Sequence, residues 1–363
     1  MSKNVKIILT GGFLGAGKTT LLLNATQHLL RRGKKTGLII NDQAPELVDN
    51  ILLKSSCLNV EELSGSCFCC NFNGFMDVVQ KINADRDIEY IIAEPVGSCT
   101  DLSATIVQPL KQYWSDKIAI APLSVLADPG RLASILDGRN AGLHEDAAYI
   151  FRKQLEESDI IVITKTDLLS KDQLIDLVNK TKEAYPESDV MTLSAITGEG
   201  IDTWLDEVIR RNDSGSKLVE VDYDIYAHGE AVLGWLNGTV ILAGNSTDWD
   251  TFISAFMNDL CFRFKKEAFP IGHVKAILEH NGNVVVVNFT GERGTLTVRG
   301  AVGTGDTCKL IINARVETTP ENLDAIVRAT LNEQTVGLTC TDVAWKYLQP
   351  GYPTPTHRFQ IVV

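Results

Sequence analysis

Three groups of side chains in this chain have the types and spacing to do chemistry. The first is Gly12-Phe-Leu-Gly-Ala-Gly-Lys-Thr19, which matches G-x-x-x-x-G-K-[ST] between a β-branched run and a stretch of helical periodicity. That context is the one in which the pattern builds a phosphate cradle. Gly12, Gly15, Ala16 and Gly17 turn backbone N–H groups toward phosphate oxygens, and the following helix presents its positive end to them. Lys18 neutralises the outer phosphates and stabilises charge on a transferring phosphoryl group; Thr19 offers a hydroxyl to Mg²⁺, with Thr20 beside it in the helix. Tyr90-Ile-Ile-Ala-Glu94 ends an apolar strand in a carboxylate, suited to holding a magnesium water or orienting an attacking one. Lys18 and Glu94 are therefore the expected catalytic pair.

The second group reads the base. Thr164-Lys165-Thr166-Asp167 closes a later strand and is close to the N-K-x-D element of GTP-binding proteins. The Asp167 carboxylate can accept two hydrogen bonds from guanine N1–H and N2–H₂, a donor pair adenine lacks, and a mismatched base would leave buried groups unpaired. Ser194-Ala195, after the last strand of the region, sits where a backbone N–H would reach guanine O6. Thr164 stands in the Asn position, and its shorter hydroxyl can make fewer bonds.

The third group is Cys67, Cys69 and Cys70 in Ser-Gly-Ser-Cys-Phe-Cys-Cys. Thiolates this close suit a soft or borderline metal such as Zn²⁺ or Cu(I). Three sulfurs leave the fourth position to water, Asp42, Cys57, Cys99 or a partner's residue, and an incomplete shell suits a transferable ion. The cluster follows the Asn41–Asp49 segment, the natural place for a nucleotide-sensing switch.

The elements that must position these groups alternate short β-branched runs with helical stretches. Strands are expected at Val5–Thr10, Thr36–Asn41, Ile88–Glu94, Ile118–Asp128 (broken by Pro122), Asp159–Thr164 and Val190–Ser194. Helices are expected at Lys18–Arg32, Gly74–Ala84, Ala147–Glu157, Lys171–Ala184 and Gly200–Arg211. Near-continuous Ile/Val strands imply a mainly parallel α/β sheet covered on both faces, with ligands at the strands' C-terminal ends. The polar stretch 213–217 reads as a linker between a P-loop domain, 1–212, and a smaller α+β domain, 218–363, in which the strands form an antiparallel sheet.

Composition narrows the classes further. The chain has 363 residues, 44% hydrophobic and 22% charged, and a net charge of −12. That balance argues against nucleic acid or anionic lipid as a partner, and no apolar run reaches the length of a membrane span. Eight cysteines are too few for a disulfide scaffold. No secretory signal is evident at Met1–Thr10, so a cytoplasmic location is expected. The scattered histidines are assigned no role.

With these residues in view, the chain resembles the CobW/cobalamin-synthesis GTPases, relatives of the urease and hydrogenase nickel-insertion GTPases. The likeness rests on GGFLGAGKTTLL at 11–22, Asn41-Asp42 through Asp49, CFCC at 67–70, IIAEPVG at 91–97, Asp128, QLEESDIIVITKTDL at 154–168 and Ser194-Ala195. The resemblance implies a P-loop fold, GTP hydrolysis tied to metal delivery, and the cysteines as ligands for Zn²⁺ or another transition metal such as Co²⁺. It also implies Mg²⁺ near Thr19, Asp49 and Glu94, and a client metalloprotein. A GTPase that loads or reactivates a corrinoid enzyme without delivering metal is the alternative, and a homodimer is compatible with either. The chain departs from the pattern at Asp42, Ser66 and Pro95-Val96.

Overall fold

The computed structural model describes residues 5–42, 59–64, 66–84, 88–290 and 296–363. Two sheets organise them. The first is parallel and runs β3-β2-β4-β1-β6-β7-β8, with β5 also on β1. Its strands are β1 (Val5–Gly11), β2 (Thr36–Asp42), β3 (Asn59–Ser64), β4 (Tyr90–Glu94), β5 (Ile118–Ile120), β6 (Ser124–Ala127), β7 (Ile160–Ile163) and β8 (Asp189–Thr192). Ile7, Ile8, Ile91, Ile92, Ile161 and Val162 are all inaccessible, as the unalternating Ile/Val runs require of strands covered on both faces. Pro122, which cannot donate to a ladder, falls between β5 and β6; both still pair with β1, at Ile7–Ile120 and Gly11–Val125.

Around this sheet lie α1 (Lys18–Arg31), α2 (Phe72–Asn83), α3 (Gln108–Trp114), α4 (Pro129–Leu136), α5 (Glu145–Glu157), α6 (Lys171–Ala184) and α7 (Ile201–Arg210). The P-loop α/β fold expected from the sequence is therefore present. β3, α3 and α4 add to the elements read from periodicity. In α4 the start is set by Asp128, whose carboxylate accepts from the N–H groups of Gly130 and Arg131 at 3.0 and 3.1 Å, with Pro129 at the first helical position.

The stretch 213–217 is tied down. Asp159 accepts from Gly215 N at 2.7 Å and from both the N–H and hydroxyl of Ser216 at 3.0 and 2.8 Å. After it, α8 (Tyr223–Ala231) packs on α5, and Tyr226, Leu233 and Trp235 join the first core. The second sheet is antiparallel, β12-β11-β10-β13-β9-β14. It comprises β9 (Leu233–Asp248), β10 (Ile271–His280), β11 (Asn283–Phe289), β12 (Thr297–Gly300), β13 (Thr304–Glu317) and β14 (Thr339–Leu348). One face, including Val274, Ala276, Val287, Leu310 and Ile312, shares a core with α9 (Trp249–Lys266) and α10 (Pro320–Gln334).

Candidate nucleotide and metal sites

Elementary sterics shape the loop between β1 and α1. Gly12 (φ +131°), Gly15 (φ +77°) and Gly17 (φ +92°) occupy backbone conformations that L side chains rarely adopt. A Cβ at Gly12 would also collide with the Leu126 carbonyl. Lys18 is buried, and its ammonium donates to the Gly12 carbonyl at 2.7 Å. The Thr19 hydroxyl lies 3.2 and 3.1 Å from the two Glu94 oxygens. Sequence positions 75 residues apart thus meet at one oxygen-rich point, a hydroxyl beside a carboxylate, whose donors fit a hard divalent cation such as Mg²⁺.

The elements expected to read the base close the other end. Lys165 takes a left-handed conformation (φ +53°) and pairs with Asp128 at 2.8 Å. Burial alone would raise the Asp128 carboxyl, but Lys165 and the Arg131 N–H outweigh it and hold it below its usual range. The Ser194 hydroxyl donates to Asp167 at 2.5 Å and accepts from Thr197 N at 3.1 Å. Asn24 on α1 donates to the Ala195 carbonyl. Thr164, in the Asn position, lies fully buried with its hydroxyl 2.8 Å from the Ala16 carbonyl and 3.2 Å from that of Ala127. The shorter side chain still ties the base loop to the phosphate loop.

These pieces surround one cavity of about 920 Å³, lined by Gly15, Gly17, Lys18, Thr19, Thr20, Glu94, Lys165, Asp167 and Ala195 among others. Gly12, Ala16 and Ser194 are not among its lining residues; Gly12 and Ala16 meet Lys18 and Thr164 through their carbonyls, and Ser194 meets Asp167. Asp49 lies outside the described residues.

The cysteines form a separate, buried group at the mouth of α2 and the loop after β4. Cys67 and Cys69 sulfurs are 3.0 Å apart and those of Cys69 and Cys70 3.9 Å. Among the described residues the set within ligand reach contains Cys99 and not the expected Cys70: one sulfur each from Cys67, Cys69 and Cys99 lies within 4.8 Å of the others. Cys99 is one of the candidates for a further donor and stands beside them on the turn after Glu94; Cys57, another, lies outside the described residues. S–H groups of Cys69, Cys70 and Cys99 donate to Cys67 and favour its thiolate; the same pairing with Cys67 pushes Cys70 up to about 11. A soft, all-sulfur donor set fits zinc or another thiophilic ion. The chain's tail crosses it, with Thr356 N on the Cys69 carbonyl at 2.8 Å and the Thr356 hydroxyl on that of Cys70 at 3.1 Å.

Two short connections join the two sites. Asn41 lines the cavity, and its amide donates to the Leu63 and Ser66 carbonyls at 2.8 and 2.7 Å while accepting from Phe68 N at 2.9 Å. It therefore clasps the chain on both sides of Cys67. The segment from Glu94 to Cys99 is the other. At Gly97 within it, a Cβ would sit 3.2 Å from the Lys18 ammonium.

A glycine-rich cradle at a strand-to-helix turn, a strand-end carboxylate and a base loop define a P-loop nucleotide-binding fold. Residues 6–192 match the family described as CobW/HypB/UreG, nucleotide-binding domain, and the chain belongs to that family. It is 30% identical over 184 residues to a protein named zinc chaperone CobW from Sinorhizobium sp, covering 44% of this chain and 50% of that one. It is likewise 30% identical over 166 residues to zinc chaperone YeiR of Escherichia coli (strain K12), covering 44% and 46%. The chain thus spans about half the length of the curated relatives it matches. The crystal structure of hydrogenase maturation factor HypB from Archaeoglobus fulgidus is similar at 16% identity and a TM-score of 0.41, over 56% of this chain and 88% of that one.

Proposed function

We propose that this chain binds and hydrolyses GTP and carries a transition metal of the zinc or cobalt class to a client metalloprotein. The observation that carries this reading is the spacing of two built sites in one fold: a phosphate cradle and a buried sulfur cluster joined through Asn41 and through residues 94–99. The names of the two zinc chaperones support the class of cargo.

In this reading the amides of Gly12–Thr19 and the Lys18 ammonium hold the phosphates, and Lys18 stabilises the charge that develops on the transferring group. Thr19 and Glu94 hold Mg²⁺, which when bound neutralises phosphate charge; Asp49 is the further proposed ligand. Glu94 orients the attacking water. Asp167, held by Ser194, accepts from guanine, and Ala195 contributes its backbone. Cys67, Cys69 and Cys70 hold the cargo metal, with Cys99 as the additional sulfur. We keep the division into 1–212 and 218–363, and place the protein in the cytoplasm, a setting supported by its seven free described cysteines. Among the described residues no helix is long and apolar enough to cross a membrane.

The test is turnover of radiolabelled GTP by reduced, purified protein. Magnesium-dependent release of inorganic phosphate from GTP is expected, and equal turnover of ATP would undo the base assignment. Equilibrium dialysis against Zn²⁺ and Co²⁺ tests the cargo site: tight binding lost in Cys69→Ser is expected, and none in the parent protein would reject metal carriage.

A further inference from the structure

Away from the nucleotide cavity and the sulfur set, metal-ligating side chains meet again where α5 packs on α8. Among the described residues, His144, Asp146 and His228 each bring one ring nitrogen or carboxylate oxygen within 4.8 Å of the others. His144 and Asp146 stand at the start of α5, and His228 lies in the last turn of α8. In the sequence the two histidines are far apart and read as scattered; the helix pair brings them together.

Backbone packing sets this juxtaposition. Gly229 lies inside α8, where glycine costs about 1 kcal/mol relative to alanine. A Cβ there would collide with the Asp146 carbonyl and come 3.0 Å from the Ile150 side chain, so the glycine is what lets the two helices approach this closely. The approach carries the adjacent His228 onto Asp146: its Nδ1 is hydrogen-bonded to Asp146 Oδ2, and the rings of His144 and His228 meet edge-on with centroids 5.3 Å apart. Glu317, at the end of β13, accepts from the His144 N–H at 3.0 Å and anchors the start of α5 to the antiparallel sheet.

His144 occupies the N-cap of α5, a position that favours short side chains bearing oxygen. Its Nδ1 takes the acceptor's part, 3.2 Å from the Asp146 N–H. A backbone N–H can only donate, so this nitrogen presents a lone pair, and a neutral imidazole is the form that ligates metal. Asp146 Oδ2 lies 3.7 Å from the same nitrogen. Ligands held about 2.0–2.2 Å from a tetrahedral zinc stand about 3.3–3.6 Å from one another, so His144 and Asp146 are already close to ligand spacing. His228 needs only to turn its exposed ring. Side-chain exposures of 37% for His144, 25% for Asp146 and 59% for His228 leave the group open to an ion from solvent.

We propose that His144, Asp146 and His228 form a metal site of their own, which takes a divalent first-row transition ion such as Zn²⁺ with water completing the shell. Two imidazoles and a carboxylate are a borderline donor set, suited to zinc, cobalt or nickel and unlike the thiolates of the cysteine cluster. An ion there ties the start of α5 to α8, the helix that leads into β9, and so pins the P-loop half to the antiparallel sheet. This site stands independently of the sulfur set and of the nucleotide reading.

The experiment is histidine footprinting of the full, reduced chain with diethyl pyrocarbonate, read by mass spectrometry across a series of buffered Zn²⁺ concentrations. In the parent protein Zn²⁺ should protect His144 and His228 together while His280 keeps its labelling. Protection of neither, or of only one of the pair, would overturn the shared site and leave a helix cap beside an ion pair. Partners that merely support a metal ligand account for about 10–100-fold in affinity, and a ligand for at least as much. Asp146→Asn should therefore raise the Zn²⁺ needed to protect His228 about tenfold or more, and His144→Asn, which preserves a capping side chain, should do the same. A rise beyond threefold in both supports the site; a midpoint within threefold of the parent in either variant means an adventitious ion on His228 and overturns it. Sulfur-to-cobalt charge-transfer absorbance reads the cysteine cluster separately, so its absence with histidine protection intact rejects the cargo reading and not this one.

Discussion

Replacing Cys99 by serine tests the metal site where sequence spacing alone was least informative. Cys99 is 1% exposed and contributes its sulfur to the tight set with Cys67 and Cys69, whereas Cys70 is half-buried and its sulfur lies 3.9 Å from that of Cys69. Zinc held by a full set of protein ligands corresponds to about 10–16 kcal/mol at neutral pH. Spread over four sulfurs, one thiolate contributes about 3 kcal/mol, roughly a hundredfold in affinity. Cys99→Ser should therefore weaken zinc about a hundredfold, and Cys70→Ser roughly tenfold, as expected for a group at the margin of the set.

The assay is competition for Zn²⁺ against a chromophoric chelator under reducing conditions. It is paired with Co²⁺ substitution, in which sulfur-to-cobalt charge-transfer absorbance should drop by about a quarter when one of four thiolates is removed. Circular dichroism controls for folding. Zinc affinity within threefold of the parent, with unchanged cobalt absorbance, would refute the reasoning and leave Cys99 as a packing residue.

Four further outcomes follow from the same contacts. Asp167→Asn replaces an acceptor by an amide that also donates; GTP affinity should fall by about 2 kcal/mol or more while xanthosine triphosphate gains, and unchanged base preference in a competition assay would count against Asp167. Arg131→Met leaves the carbonyls of Leu14, Ile271 and Gly272 without their shared donor and should cost about 3 kcal/mol in denaturant unfolding. Glu157, fully buried, is raised well above 4.5 by that burial; the folded state keeps a proton the unfolded state loses, so stability falls as pH rises from about 4.5. Glu157→Gln should accordingly raise the melting temperature at pH 8 more than at pH 5, and a pH-independent difference would reject the assignment. Asn41→Ala should shrink the ratio of zinc affinities measured with GTPγS and with GDP, and an unchanged ratio would count against Asn41 as a link between the sites.

How far the sequence carried this picture depended on how local each signal was. The phosphate cradle is eight consecutive residues, and the parallel strands announce themselves by runs such as Ile-Ile-Val-Ile at 160–163. β14 was passed over because Thr339–Leu348 is largely exposed and its Asp, Lys and Thr positions carry no apolar stripe. α8 contains Gly229 and shows little amphipathic contrast, being stabilised by packing on α5 instead. The face shared by β10, β11 and β12 was invisible for a different reason. Lys275, Asn288 and Arg299 lie on three different strands, and only the pairing of Lys275 with Asn288 and of Asn288 with Thr297 brings them to one face.

The same distinction explains why the two sites are better understood as one device than as neighbours. Glu94 faces Thr19 at the cradle and Cys99 belongs to the sulfur set, with four residues between them that also pass the Lys18 ammonium. Asn41 meets the cavity on one side and clasps the backbone around Cys67 on the other. Any differential contact that a triphosphate makes with Glu94 or Asn41, relative to a diphosphate, is therefore made with the supports of two sulfurs of the proposed metal site. Linkage then requires the reverse: an ion drawing Cys67 and Cys99 together biases the same supports and changes triphosphate affinity by the same factor. A coupling of about 1–3 kcal/mol, roughly 5- to 150-fold, needs only that these two short segments have different preferred positions in the two nucleotide states.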